Sequence, residues 1–199
     1  MTQIRAMTEA DVEAVSAIRV RGWQSAYTGI VPQSTLDAMD VAEDASRRRE
    51  FLAKAAGRVH NLVAVRGETV VGWAAFGPYR AEQGDVPPGA GELYALYVRS
   101  DLIGTGIGRA LTRAVVEHGP VLGWRRLLLW VLADNTGARR FYTRAGFTPD
   151  GAETTDDYDG VALREVRYGR DLQEARRSHG CTAEPPRYSP HNSPCSAHL

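Results

Sequence analysis

Three glycines at alternate positions, Gly104, Gly106 and Gly108, form the most informative short stretch of the 199-residue sequence. The run at residues 93–98, just before them, is rich in Leu, Tyr and Val, which is typical of a buried strand. After the glycines, apolar residues recur at helical spacing. Glycines let a backbone approach a ligand closely, and the N–H groups and dipole at a helix N-terminus attract negative charge. The strand, glycine loop and helix therefore predict a site that binds an anion.

Two common phosphate-binding loops fit this stretch poorly. The phosphate loop of nucleoside triphosphatases ends in Gly-Lys-Ser/Thr, whereas Gly108 is followed by Arg109 and Ala110. The dinucleotide fingerprint needs glycines spaced as G-x-G-x-x-G, and here they run G-x-G-x-G. A turn that only caps a helix is a third interpretation. The glycine loop alone leaves the identity of the anion open.

A second motif begins at Asn135, after a strand-like apolar run at residues 127–132. It ends at Phe147 and fills every position of the pattern N-x-x-A-x-x-F-Y-x-x-x-G-F. In this order and separation, the two motifs resemble the GNAT superfamily of N-acetyltransferases. The loop pattern of that family, Gln/Arg-x-x-Gly-x-Gly/Ala, falls on residues 103–108, where both glycines match and Ile103 replaces the leading polar residue. The resemblance covers roughly residues 4–172.

The resemblance implies that acetyl-CoA is the co-substrate. The main-chain N–H groups of the glycine loop are expected to hold its pyrophosphate, and the Arg109 guanidinium adds a charge-assisted contact. The pantetheine arm is expected to pair with the main chain where the sheet splays, and a main-chain N–H there to polarise the thioester carbonyl. The predicted cofactor-binding residues are Tyr97, Val98, Gly104, Thr105, Gly106, Ile107, Gly108, Arg109 and Asn135, the last of which also caps the next helix.

Two side chains are predicted to carry the chemistry of acetyl transfer to an amine. In the family, the residue at the position of Tyr142 protonates the departing thiolate; the alternative is a helix–sheet packing residue. An ammonium group is almost wholly protonated at neutral pH, so a base must remove its proton. Many family members place a Glu at or near the position of Glu92, which we predict to be that base, acting directly or through water. The alternative for Glu92 is a solvated carboxylate where a strand begins.

The acceptor pocket is expected between the first helices and the loop at residues 77–91. Its candidate walls are Trp23, Tyr27, Trp73, Tyr79 and Tyr94. The resulting hypothesis is direct transfer to a primary amine of a small molecule or peptide. A protein N-terminal or lysine acetyltransferase is one alternative, and a non-catalytic acyl-CoA-binding regulatory module is another. The sequence leaves homodimerisation open.

Composition narrows the function classes further. Lys plus Arg and Asp plus Glu both number 24, which argues against nucleic acid as an obligatory partner. No apolar run approaches the length that spans a bilayer, and no signal-peptide core is recognised, so we expect no membrane partner and a cytoplasmic protein. Both cysteines, Cys181 and Cys195, lie near the C-terminus, and their spacing with the nearby histidines matches no standard zinc pattern. No metal is expected.

The elements that position these residues are predicted to form one domain at residues 1–173, followed by a disordered tail at 174–199. A short strand at 4–6 precedes a helix that begins with a capping box at Thr8 and runs to about Ser25, with Trp23 and Tyr27 on a turn. Helices are expected at 34–40 and 42–55, the second with a solvated basic face. A hairpin follows at 61–66 and 69–76, then an acidic turn at 154–160 and a last strand at 161–172. The fold class is α+β, a mixed α/β sandwich. The resemblance adds a bent sheet of about seven strands, split like a V between the strands at 93–98 and 127–132.

Overall fold

The computed structural model describes residues 1–55, 57–80 and 89–172. Seven strands form one mixed sheet in the order β1-β2-β3-β4-β5-β7-β6. They are β1 Thr2–Ala6, β2 His60–Arg66, β3 Thr69–Pro78, β4 Ala90–Val98, β5 Arg126–Leu132, β6 Thr148–Tyr158 and β7 Val161–Asp171. The predicted α+β class and the seven-stranded mixed sheet are confirmed. The predicted tail at 174–199 and most of the predicted loop at 77–91 lie outside the described residues.

Five α-helices flank the sheet in the described part of the chain. They are α1 Val12–Ala26, α2 Gln33–Asp37, α3 Val41–Ala55, α4 Ile107–Val121 and α5 Thr136–Arg144. No helix among the described residues has the length and apolarity needed to cross a membrane. Helix α4 packs on one face of the sheet, and α1, backed by α3, packs on the other. The central strands β3 and β4 are therefore buried between two helical layers.

Helix α1 follows the predicted capping box and ends at Ala26, close to the predicted end at about Ser25. The main-chain N–H of Thr8 donates to the Asp11 carboxylate at 2.7 Å, which forms the predicted capping box. The helix then continues to Ala26, so Trp23 lies inside it and the predicted turn at Trp23 is wrong. The apolar face of the helix explains why Trp23 is helical, because Trp23 is buried on the same helix as Val15 and Ile18.

The basic run of α3 is only partly a solvated face. The side chains of Arg47 and Lys54 are 68% and 79% exposed, as expected. Arg48, however, is 3% exposed, and its guanidinium lies 4.2 Å from the centroid of the Trp73 ring. The prediction is therefore wrong for Arg48, because a planar guanidinium can stack on an aromatic ring while it pairs with a carboxylate.

The predicted hairpin of β2 and β3 is confirmed, but the predicted acidic turn near the C-terminus is wrong. Strand β6 extends through that stretch to Tyr158, and its residues 153–158 pair with β7. The turn itself is confined to Asp159 and Gly160, whose φ angles are 55° and 79°. Two consecutive residues with positive φ make the tight connection that suits the twist of a hairpin.

The sheet opens between its two central parallel strands. Strand β4 pairs with β5 only where Ala90–Glu92 lie beside Arg126–Leu128. Beyond that point β4 continues to Val98 and β5 to Leu132, and the register shows no further pairing between them. The predicted V-shaped split between these strands is confirmed.

Candidate active site

A cleft of about 2400 Å³ lies where β4 and β5 separate. One end reaches the glycine loop after β4, and the other is bordered by the end of α1 and by β6 and β7. All but one of the residues predicted for catalysis and cofactor binding line this one cleft: Glu92, Tyr97, Val98, Gly104, Thr105, Gly106, Gly108, Arg109, Asn135 and Tyr142. The fold therefore brings together residues that are far apart in sequence.

The glycine loop has the backbone that its sequence requires. Gly104 and Gly106 have φ angles of 85° and 89°, a region that side chains rarely tolerate. A Cβ built on either residue would meet no atom within 4 Å, so the loop surface is open on that side. Gly106 is also the N-cap of the 15-residue helix α4, whose first turn contains no acidic residue. The positive end of the helix therefore faces a cleft with room for an anion.

Three further loop residues have distinct roles. The Thr105 hydroxyl donates to the Leu102 carbonyl at 2.7 Å, which fixes the loop. A Cβ on Gly108 would lie 3.3 Å from the Phe141 ring, so this glycine lets α4 and α5 approach. Ile107 is the predicted residue that does not line the cleft. The residue is 1% exposed, and its side chain packs in the core.

Tyr97 and Val98 lie on the unpaired part of β4. On the β3 side, Tyr97 pairs with Trp73 and Val98 with Gly72. On the β5 side, the β4–β5 pairing has already ended at Glu92. A strand edge of this kind presents main-chain groups that an extended amide-containing ligand can pair with.

Asn135 and Tyr142 are positioned by α5. The Asn135 side chain accepts a hydrogen bond from the Ala138 N–H at 3.0 Å, which confirms the predicted N-cap. The Tyr142 ring packs against Phe141 and Phe147, with centroids 5.2 and 5.9 Å away. Burial raises the pKa of the Tyr142 hydroxyl, so the phenol is neutral at physiological pH.

Glu92 is buried within β4, which begins two residues earlier at Ala90. Its exposure is 2%, so the interpretation as a solvated carboxylate is wrong. The carboxylate accepts one hydrogen bond from the Arg80 main chain at 2.9 Å and another from its guanidinium at 2.7 Å. Glu92 lies at the last β4–β5 pair, where the cleft begins.

Four of the five predicted acceptor walls line the cleft: Trp23, Tyr27, Tyr79 and Tyr94. Trp73 does not. It is fully buried, with Arg48 on its ring, and the expectation that it forms a pocket wall is wrong. The prediction relied on Trp73 being an aromatic residue on a strand. Its side chain instead packs between the sheet and α1.

Sequence reasoning missed the wall made by the last three strands. Trp130 pairs with Arg167, and both line the cleft together with Tyr158 and Glu165. Arg167 donates to the Tyr79 hydroxyl at 2.8 Å, which joins β7 to the end of β3. The period-two pattern of these strands could have predicted this wall, because directly paired residues on neighbouring strands have their side chains on the same face of the sheet.

In the described part of the chain, the cleft thus offers a glycine loop at a helix N-terminus, an open strand edge, a neutral phenol and a buried carboxylate. None of the described residues forms a group of three or more His, Cys, Asp or Glu side chains able to hold a metal ion. The arrangement suits a long phosphorylated ligand at one end and a second reactant at the other, with proton donor and acceptor groups between them.

Comparison with known proteins agrees with this geometry. The model of the acetyltransferase (GNAT) family matches residues 23–147. The uncharacterized N-acetyltransferase YuaI of Bacillus subtilis (strain 168) is 30% identical over 173 residues, which cover 85% of this chain and 92% of that protein. The structure of ribosomal-protein-alanine N-acetyltransferase from Brucella melitensis is similar with a TM-score of 0.69 and 26% identity, covering 85% of this chain and 99% of that one. PaiA N-acetyltransferase from Thermoplasma acidophilum, in complex with coenzyme A, has the same fold, with a TM-score of 0.66 and 18% identity over 86% and 99% of the two chains.

Proposed function

The chain belongs to the acetyltransferase (GNAT) family and is an acetyl-transferring enzyme, and we propose that it transfers the acetyl group of acetyl-CoA directly to a primary amine of a small molecule or peptide. The observation that carries this proposal is the single cleft that joins the glycine loop to both Glu92 and Tyr142. A transferase without a covalent intermediate on the enzyme needs both reactants in one place, and this cleft is continuous from one end to the other.

In this proposal the glycine loop holds the pyrophosphate of acetyl-CoA. The fit is supported by the open space above Gly104 and Gly106 and by the helix N-terminus behind them. Arg109, exposed at the cleft edge, adds positive charge. The β4 main chain around Tyr97 and Val98 pairs with the amides of the pantetheine arm, and an N–H there polarises the thioester carbonyl. Bound acetyl-CoA supplies an activated acetyl group.

Glu92 and Tyr142 then act on the two sides of the reaction. Glu92 accepts the first proton of the incoming ammonium, directly or through a water molecule, which leaves a nucleophilic amine. The amine nitrogen bonds to the acetyl carbon as the carbon–sulfur bond breaks and its electron pair moves to sulfur. The nitrogen then releases its second proton to water, which leaves a neutral amide. Tyr142 donates its hydroxyl proton to that sulfur, so that a thiol leaves.

The N-terminal or lysine amine of a protein is a second candidate acceptor. The likeness to a ribosomal-protein-alanine N-acetyltransferase supports it, as does the size of the cleft. A non-catalytic acyl-CoA-binding module is the rival outside the enzyme class. Binding of acetyl-CoA without thiol release for any amine, unchanged by Tyr142→Phe, is the result that would favour this rival.

The first test is thermal stabilisation by acetyl-CoA in wild type, Gly106→Glu and Gly151→Glu. The two glycines are matched: their φ angles are 89° and 87°, a Cβ built on either would meet no atom within 4 Å, and Gly151 does not line the cleft. Acetyl-CoA at a hundred times its dissociation constant stabilises by about 2.7 kcal/mol. We expect this stabilisation in wild type and Gly151→Glu and its loss in Gly106→Glu, where the carboxylate repels phosphate.

Thiol release then identifies the acceptor. The panel contains a short diamine, an arylethylamine, an amino-acid amide and a peptide with an N-terminal alanine. Release with the peptide alone favours the second candidate, whose N-terminus this peptide imitates, and release with the small amines supports a small-molecule acceptor. Folded protein that gains no stability from acetyl-CoA at millimolar concentration would overturn the proposed function.

A further inference from the structure

Three aromatic side chains meet at the end of the cleft that is bordered by α1, β6 and β7, and we call them the ring cluster: Trp23, Tyr27 and Tyr158. The centroid of the Trp23 ring lies 4.7 Å from that of Tyr27 and 6.0 Å from that of Tyr158. The ring planes are tilted by 59° and 43°, so the rings form a corner rather than a flat stack. All three residues line the cleft, and both tyrosines are half-buried. Ring faces carry partial negative charge, so a partly desolvated corner of this kind attracts a cationic group of a ligand.

Two carboxylates lie beside the ring cluster, on the wall formed by β6 and β7. The register of these strands is unbroken from Tyr158 past Asp156 to the residue opposite Glu165, so the three side chains are on one face of the sheet. Both carboxylates line the cleft and are half-buried. Leu132, which pairs with Glu165 from β5, packs in the same hydrophobic cluster as the three rings. Glu165 therefore lies next to the ring cluster in the fold.

The wall formed by β6 and β7 carries net negative charge. On these two strands the lining of the cleft contains three carboxylates and one guanidinium. That guanidinium belongs to Arg167, which donates a hydrogen bond to the Asp150 carboxylate at 2.9 Å. Burial, followed by the charges of Glu165 and Asp156, raises the pKa of Tyr158, in keeping with negative charge near its hydroxyl.

The positive charges of the cleft are paired or lie on other elements. The Arg19 guanidinium lies 5.4 Å from the centroid of the Trp23 ring, but it is paired with Asp44. The remaining basic residues of the lining are Arg47, Lys54, Arg58, Arg80 and Arg109. None of these five residues lies on α1, β6 or β7. The end of the cleft that holds the ring cluster is therefore suited to a cation rather than to an anion.

The register also relates this end of the cleft to the proposed base. Glu92 pairs with Leu128 on β5, and Leu132, four residues further along β5, pairs with Glu165 on β7. Directly paired residues, and residues two or four apart on a strand, share a face, so Glu92 and Glu165 lie on the same face of the sheet. Four strand residues span about 13 Å. A ligand that reaches from Glu92 to Glu165 therefore needs an extended chain between its two ends.

We propose that the acceptor is a small aliphatic amine with a second ammonium group, a diamine, and that the ring cluster, Glu165 and Asp156 hold the second ammonium. This inference rests on the proposed acetyl transfer and specifies its acceptor. The first amine lies at Glu92, and the aliphatic chain passes over Trp130, which lines the cleft on β5 between the two ends. The ring faces and the carboxylates attract the second ammonium, which takes no part in the reaction.

The first experiment compares three acceptors that differ only at the end remote from the reacting amine: 1,8-diaminooctane, 8-aminooctan-1-ol and 8-aminooctanoate. Thiol release from acetyl-CoA gives kcat/KM for each. We expect the diamine to exceed the amino alcohol about tenfold, on the scale of a cation–π contact together with a partly buried ion pair. The amino acid should be the poorest acceptor, because its carboxylate is repelled. The shorter 1,3-diaminopropane should lose most of the advantage, because its second ammonium cannot reach the ring cluster.

Four variants test the residues, with the ratio of kcat/KM for 1,8-diaminooctane to that for 8-aminooctan-1-ol as the readout. Glu165→Gln should lower this ratio severalfold. Glu117→Gln makes the same change in net charge on an exposed part of α4 outside the cleft and should leave the ratio unchanged. Tyr158→Leu removes a ring and should lower the ratio severalfold, whereas Tyr158→Phe keeps the ring and most of the ratio. Because both rates come from one protein, a general loss of activity or stability cancels.

An amino alcohol as good as the diamine, or an unchanged ratio in either Glu165→Gln or Tyr158→Leu, would overturn this inference while the acetyl transfer itself stands. A preference for 8-aminooctanoate would also overturn it. If Tyr158→Leu fails to fold, Glu165→Gln decides. Thiol release with none of these amines, nor with any acceptor of the first panel, would instead overturn the proposed function. The two failures are thus distinguishable.

Discussion

Arg80 donates two hydrogen bonds to the Glu92 carboxylate, from its main-chain N–H at 2.9 Å and from its guanidinium at 2.7 Å. The side chain of Glu92 is 2% exposed and that of Arg80 is 49% exposed. The guanidinium also lies 4.1 Å from the centroid of the Tyr94 ring. A carboxylate has about four lone-pair sites, so this pairing leaves Glu92 able to accept a hydrogen bond from an amine or a water molecule. Arg80 therefore holds the proposed base in place at the start of the cleft.

We predict that Arg80→Met lowers the free energy of unfolding by about 1–2 kcal/mol, because it leaves a buried carboxylate with one of the two hydrogen bonds that the described residues donate to it. The loss stays below that of a fully buried pair, since Arg80 is half exposed and its main-chain N–H remains. Urea denaturation measures it. Arg47→Met is the control: its pair with Glu43 is exposed on both sides, and we expect a change under about 0.5 kcal/mol. Equal losses in the two variants would contradict the prediction.

We predict opposite outcomes for two adjacent arginines of α3. Arg48→Lys should lower the free energy of unfolding by about 2 kcal/mol, because lysine cannot stack flat on Trp73 while it bonds both Asp44 and Ser16. Arg49→Lys should change it by less than about 0.5 kcal/mol, since Arg49 is 43% exposed and pairs with an exposed Glu13. Thermal and urea unfolding measure both. An Arg48→Lys protein as stable as Arg49→Lys would show that the stack contributes nothing.

Local sequence predicted the parts of the site that depend on neighbours along the chain. The glycine spacing indicated the backbone at Gly104 and Gly106, and the position of Asn135 before a helix predicted its capping role. Both depend on main-chain geometry within a few residues, for which residue type is a direct guide. The two motifs also predicted the family, which the comparisons confirm.

Contacts between distant segments were beyond that reasoning. The Arg80 pairing with Glu92 joins residues on either side of a chain reversal, and the Arg48 stack on Trp73 joins a helix to a strand. In each case the sequence offered a charged residue in a polar-looking stretch, for which solvation is the ordinary outcome. Tertiary packing instead buries Glu92 and Arg48, and the residues next to them in the sequence do not indicate this burial.

We predict an acid-sensitive contribution from Asp11. Arg5 donates two hydrogen bonds to its carboxylate, at 2.7 and 2.8 Å, and the Thr8 N–H adds another. These contacts, led by Arg5, lower the pKa of Asp11. A depressed folded-state pKa contributes stability that is present above the unfolded pKa of about 4 and is lost as pH falls towards the folded value. Asp11→Asn should therefore cost about 1–2 kcal/mol at pH 7, and the difference from wild type should shrink below pH 4. A difference that stays constant from pH 7 to pH 3 in urea unfolding would contradict it.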